Sequence, residues 1–133
     1  LFGVFPMRSL VPGHPLMGNQ DDEFLCPQSR YAGLSDLEME EAQRQGKLRL
    51  LSYGEKVGYT IFETNDQRQL MHLGHPEYNV SRLISEMERD KVKGDVPPPE
   101  NFDPENPNTY WRSHRNLLFQ QWLWFCYQRV SFN

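Results

Sequence analysis

Apolar and polar positions along the chain follow two rhythms. Residues 48–53, 57–63 and 69–73 read as three strands, with Gly54-Glu55-Lys56 and Asn65-Asp66-Gln67 as the turns between them. Connections that tight predict a hairpin set or meander. The opening Leu1-Phe2-Gly3-Val4-Phe5 also looks like a strand, and residues 1–10 read as one short extended segment. The other rhythm is helical. Ser35-Asp36-Leu37-Glu38 has the form of a capping box, and a run of good helix formers follows until Gly46 stops it. This predicts a short polar surface helix. In residues 79–93, Val80, Leu83, Ile84 and Met87 recur at steps of three and four. Asn79 or Ser81 can cap that helix and Gly94 ends it. Arg89 lies off the centre of its apolar face.

A last helix is expected over 110–127. Leu117, Leu118, Trp122, Phe125 and Cys126 share a stripe, which Phe119, Leu123 and Trp124 widen. A helix that apolar is expected to be nearly buried in a core or an interface. Core packing is the simpler role for Trp111, Trp122 and Trp124, and inert core the simpler role for Cys126.

Prolines punctuate the remainder. Residues 11–16 predict a loop, since each proline biases its predecessor away from the helix region. His14, between Gly13 and Pro15, reads as a solvated loop residue rather than a ligand. Asp21-Asp22-Glu23 lacks the alternating oxygen spacing of a calcium loop and reads as a solvated turn or a helix start. Residues 26–31 read as a loop rich in donors. Cys26 has no histidine or lysine beside it to activate a thiolate. Residues 95–107 contain five prolines and predict a long extended surface loop.

Composition narrows the classes. The 14 basic and 18 acidic residues give a net charge of -4, against a nucleic-acid footprint. No apolar run approaches the roughly 20 residues that span a bilayer, so no membrane partner is expected. Cys26 and Cys126 are too few and too far apart for a disulfide scaffold or a paired-cysteine metal site, so no metal is expected and a reducing cytoplasm is the expected setting. An apolar fraction of 38% is modest, and the chain begins at Leu1 inside a strand pattern. Both suggest that part of the core lies on another segment.

The chemistry concentrates at Leu73-Gly74-His75-Pro76-Glu77-Tyr78, where a strand runs into a loop. Open α/β sheets keep their sites at such strand ends. Gly74 lets the backbone turn or approach a ligand closely. Pro76 stiffens the link between His75 and Glu77. A carboxylate on one ring nitrogen fixes the tautomer, so the other can accept a proton. The plain alternative is a surface turn in which the pair is incidental. No GxSxG nucleophile elbow is present and neither cysteine has a convincing setting, so a nucleophile for His75 is expected outside this chain.

Several motifs occur here in the order of one family. They are Asp21-Asp22-Glu23-Phe24, Ser29-Arg30-Tyr31, Gly74-His75-Pro76-Glu77-Tyr78, Arg89-Asp90, Trp111-Arg112-Ser113-His114 and Asn116-Leu117-Leu118-Phe119. Through them the whole chain resembles the C-terminal part of a homoserine O-acyltransferase of the homoserine O-succinyltransferase type. The resemblance implies a fold like the class I glutamine amidotransferases, a flavodoxin-like parallel α/β sheet of which residues 1–133 form the C-terminal half. It implies transfer of an acyl group from acyl-coenzyme A, a co-substrate rather than a bound cofactor, to the homoserine hydroxyl through a cysteine thioester, in methionine biosynthesis. His75 is then the general base, Glu77 its orienting carboxylate, and Ser29 and Arg89 contact the substrate. A guanidinium suits an amino acid's carboxylate. The nucleophilic cysteine, the oxyanion-hole donors and a substrate-contacting lysine are expected on the N-terminal half. That half is a partner this chain requires, and a homodimer stays open.

The chain departs from the family at two places. Gln28 stands where members usually carry histidine, and a Glu-His pair usual near Pro6-Met7 is missing. Succinyl against acetyl donors, and homoserine against serine acceptors, therefore stay open. A non-catalytic fragment or complementing subunit, pairing through the aromatic final helix, is the reading from a different class. A glutamine amidotransferase relative is a third, less favoured by Arg89 and by Trp111 to His114.

Overall fold

The computed structural model describes residues 1–94 and 96–131. The elements in chain order are β1 (Phe2–Ser9), β2 (Glu23–Ser29), α1 (Asp36–Arg44), β3 (Leu48–Gly54), β4 (Gly58–Thr64), β5 (Leu70–His72), α2 (Val80–Lys93) and α3 (Arg112–Arg129). The strands form one sheet in the order β2-β1-β3-β4-β5. The chain is α/β, as expected, but every pair of named strands is antiparallel. The reason lies in the connections. Val57 N–H closes a turn onto the Gly54 carbonyl at 3.1 Å, and Gln67 N–H one onto the Thr64 carbonyl at 2.8 Å. Neither turn has the dozen or so residues that a parallel crossover needs.

The sheet curls. β2 and β5 stand at its opposite ends, yet His75, just past β5, donates its backbone N–H to the Pro27 carbonyl of β2 at 2.8 Å. Gly74 makes that approach possible, since a Cβ there would lie 2.5 Å from Gln28 Nε2 and 2.8 Å from Cys26 Sγ. Register shifts between Leu50, Ser52 and Tyr53 bend the β3–β4 ladder.

Successive strand residues face opposite sides and so feed different clusters. Phe5 packs with Met7, Met17, Phe24, Cys26, Leu51, Val57 and Ile61. Val4, one position earlier, packs with Tyr78, Leu83, Phe102 and Trp111. Met39 of α1 covers Leu50 and Phe62.

Residues 26–29, expected in a loop, belong to β2 instead. Pro27 is tolerated because β2 is an edge strand and needs no ladder donor on its outer side. The proline-rich segment is anchored at Glu100, Asn101 and Phe102. Glu100 exchanges backbone hydrogen bonds of 2.9 Å with Phe2 and Val4 on the side of β1 away from β2, and Asn101 Nδ2 donates to the Val4 carbonyl at 3.0 Å. Gly3, at φ +145, lies so close to the Glu100 backbone that a Cβ would collide with it.

The capped helices match expectation. Ser35 and Asn79 are the N-caps, and the Asn79 side chain accepts the Arg82 N–H at 2.8 Å. α3 forms but is not nearly buried. Among its described residues only Leu118 is fully covered, while Phe119, Trp122, Leu123, Trp124 and Tyr127 are exposed and Cys126 is half-buried. The stripe is too wide for one helix face, so contact with this sheet leaves much of it in solvent. His14 is also corrected. It is buried, donating from Nε2 to Glu63 at 2.8 Å and accepting the Leu16 N–H on Nδ1 at 3.1 Å.

Candidate active site

The site loop hangs between the two ends of the sheet. The strand ends at His72, and the Gly74 N–H turns back onto His72 Nδ1 at 3.0 Å. The His75 N–H then takes the Pro27 carbonyl, and the Tyr78 N–H closes the turn onto the His75 carbonyl at 3.1 Å. Within this frame His75 Nδ1 meets Glu77 Oε1 at 2.8 Å. That contact fixes the proton on Nδ1 and leaves Nε2 as the acceptor. Among the described residues Nε2 has no hydrogen-bond partner. The His75 side chain is 34% exposed and Glu77 54%, so the free nitrogen can be reached. The face of the ring stacks on Tyr78, with centroids 4.3 Å apart and planes inclined by 17°.

Ser29 and Arg89 converge on a residue that sequence reasoning missed. Ser29 Oγ donates to Glu86 Oε2 at 2.6 Å, and Arg89 Nη1 lies 3.9 Å from Glu86 Oε1. The Tyr78 hydroxyl donates to Glu86 Oε1 at 2.8 Å, and Arg82 Nη2 reaches the same oxygen at 3.1 Å. Burial alone raises the pKa of Glu86. The Ser29 and Tyr78 hydrogen bonds and the Arg82 and Arg89 charges outweigh that, so its carboxyl lies below the usual range. A signal for Glu86 was present: it falls three positions after Leu83, on the buried line that continues to Asp90. Arg89 itself is turned onto Asp90, with bonds of 2.8 and 3.2 Å. Ser29 and Asp90 line one cavity of about 340 Å³ with Arg30, Tyr31, Pro97 and Glu100.

Neither cysteine serves His75. Burial first, and then the Glu77 charge, push the Cys26 thiol up to about 12, against a backbone hydrogen bond from His75. Two more imidazoles lie nearby. Burial, then the neighbouring His114 and His75, lower His72 to about 4; burial lowers His114 to about 4, with the Asp21 charge opposing. His114 stacks on Phe24 at 3.7 Å. Its two ring nitrogens, His72 Nε2 and the Gln28 amide have no hydrogen-bond partner among the described residues.

Fold and site together define an α/β protein that presents an oriented, reachable imidazole at a strand end, beside a buried carboxylate and two guanidinium groups. The model of the homoserine O-succinyltransferase family matches residues 1–132, and the chain belongs to that family. A homoserine O-acetyltransferase of Acetivibrio thermocellus is 36% identical over 140 residues, covering 100% of this chain and 45% of the relative. A homoserine O-succinyltransferase of Aliivibrio fischeri is 35% identical, covering 100% and 44%. The chain thus spans less than half the length of these relatives. A solved structure from Thermoplasma acidophilum, described as a subunit of GMP synthase, has TM-score 0.48 and 12% identity, covering 71% of this chain and 48% of that one.

Proposed function

We propose that this chain is the C-terminal part of a single-domain homoserine O-acyltransferase with a glutamine amidotransferase-like fold. The observation that carries the reading is the His75–Glu77 pair, bonded at 2.8 Å, with a reachable Nε2 in a chain of this family. A cysteine thiolate on the N-terminal half attacks the carbonyl carbon of an acyl-coenzyme A. The carbon–sulfur bond to coenzyme A breaks, and the coenzyme leaves as its thiol, taking from His75 Nε2 the proton that the cysteine gave up to it. His75 Nε2 then takes the proton of the acceptor's hydroxyl as its oxygen attacks the enzyme thioester. The new ester forms, and the cysteine thiolate departs. Glu77 holds the tautomer and balances the charge that His75 gains. Ser29 and Arg89 receive the amino acid, with the guanidinium exchanging its Asp90 contact for the substrate carboxylate. Acyl-coenzyme A is a co-substrate, and no resident cofactor is required. The two free thiols suit a reducing cytoplasm, and methionine biosynthesis is the setting.

The test offers acetyl- and succinyl-coenzyme A with homoserine and serine to the protein carrying this chain. Transfer that falls by about 10²-fold or more in His75→Ala supports the reading; transfer retained at the wild-type rate removes His75 from the mechanism. Preference for serine would select the alternative acceptor. A second reading is a non-catalytic subunit that pairs with the missing half, alone or as a homodimer. It is favoured by the aromatic side chains that α3 leaves exposed. Absence of transfer from all four combinations, by a correctly folded protein, would select it.

A further inference from the structure

We infer that His72 is a positioning residue, which sets the turn that carries His75 and does so with its own proton held on Nε2. The inference rests on the reading of His75 as the base. Three consecutive backbone N–H groups follow β5, and each is tied in a different direction. Leu73 donates to the Thr60 carbonyl of β4 at 2.8 Å, Gly74 to His72 Nδ1 at 3.0 Å, and His75 to the Pro27 carbonyl of β2 at 2.8 Å. The outer two acceptors belong to the backbone of the sheet. The middle one is a side chain, so a substitution can remove it.

The chemistry of the middle bond fixes the state of His72. A backbone N–H can only donate, so Nδ1 must present a lone pair, and the proton of the neutral ring lies on Nε2. Gly74 is buried, and a buried N–H stripped of its acceptor is costly enough that the turn would shift to find another. Gly74 is also tightly enclosed. A Cβ there would lie 2.5 Å from Gln28 Nε2, 2.8 Å from Cys26 Sγ and 3.1 Å from His72 Cε1. Packing that close passes a displacement of Gly74 on to the next residue, which is the base. Burial, and then the neighbouring His114 of α3 and His75, lower the pKa of His72 to about 4, so Nδ1 keeps its lone pair through the neutral range. From β2, Cys26 faces the same glycine as a thiol whose pKa is pushed up to about 12, and Gln28 as an uncharged amide. Glu77 thus orients the imidazole of His75, while His72 sets the backbone from which that imidazole hangs.

The experiment uses the full protein. The ring-nitrogen NMR spectrum of His72 near neutral pH should show a protonated Nε2 and an unprotonated Nδ1; a proton on Nδ1 would overturn the inference without any variant. Kinetics then separate positioning from packing. His72→Phe fills the space of the imidazole but offers no acceptor, and kcat should fall about 10²-fold with the acyl-donor KM unchanged, the scale of a roughly 1 Å misplacement. His72→Asn fills that space less well, but its amide oxygen can stand where Nδ1 stands, and it should recover most of the loss. Packing alone would give the opposite order, with phenylalanine the better replacement. That order, or equal kcat values in the two variants, would overturn the inference. If His72→Phe fails to fold, His72→Leu takes its place with the same expectation. Full transfer by His75→Ala would instead overturn the base reading, and the spectrum would still report which nitrogen of His72 accepts from Gly74.

Discussion

Among the described residues, two histidine–glutamate pairs have the same bond length and opposite surroundings. His14 and Glu63 meet at 2.8 Å with side chains 0% and 3% exposed; His75 and Glu77 meet at 2.8 Å with 34% and 54% exposed. At His14 both ring nitrogens are occupied, one by Glu63 and the other by the Leu16 N–H. At His75 only one is. The pair that looks stronger by burial has no lone pair left for chemistry, while the exposed pair keeps an acceptor pointing outward. The distance between an imidazole and a carboxylate does not tell whether a ring nitrogen is left to accept a proton; the partner of the second nitrogen does.

The widest separation should appear on truncating each histidine. His75→Ala should lower transfer by about 10²–10⁴-fold, the usual contribution of a general base, with stability nearly unchanged. His14→Ala should do the reverse. It leaves the buried Glu63 carboxylate without its main donor, at a cost of about 3 kcal/mol in urea unfolding. Equal effects of both variants on Tm would break the comparison.

Acid comes next. The unfolded chain takes up protons at its histidines near pH 6.5, whereas folded His72 and His114 wait until about pH 4. Their contribution is therefore full above pH 6.5 and lost as pH falls through that window, by on the order of 3 kcal/mol per imidazole. A His72→Phe variant should flatten the stability profile between pH 6.5 and 4. An unchanged slope would show that His72 does not titrate this way.

The smallest effect concerns the exposed pair itself. Glu77→Ala should cost less than about 1 kcal/mol of stability, as expected for a solvent-screened contact. Glu63→Ala, which strands the His14 N–H in the core, should cost more. Equal costs in matched denaturation curves would mean that exposure does not separate the two pairs.

Local signals read well from the sequence, and long-range ones read poorly. The caps at Ser35 and Asn79 and the turns after Gly54 and Thr64 are written in adjacent residues, so α1, α2 and the β3–β5 meander were legible. The His75–Glu77 contact was legible for the same reason, being two positions apart. β2 was hidden by Pro27, whose tolerance depends on an edge position that only the assembled sheet defines. His14 looked solvated because its partner Glu63 lies 49 positions away. Glu86 was concealed inside a helix judged by its apolar residues, though it sits on the same buried line as Leu83. The exposure of α3 illustrates the converse: periodicity tells how much apolar surface a helix carries, but not how much the rest of the chain can cover.

The Glu100 clasp on β1 has a kinetic consequence. β1 can pair with β2 as soon as the early part of the chain is made, but the hydrogen bond from Asn101 to Val4 joins positions 97 residues apart. Closing so long a loop is costly in entropy, and contacts of that range form slowly. Until it closes, the Phe2 carbonyl and the Val4 N–H face outward, ready to pair with a strand from another molecule. Refolding yield should therefore fall with protein concentration during this late step, while the native protein, its edge already clasped, remains dispersed.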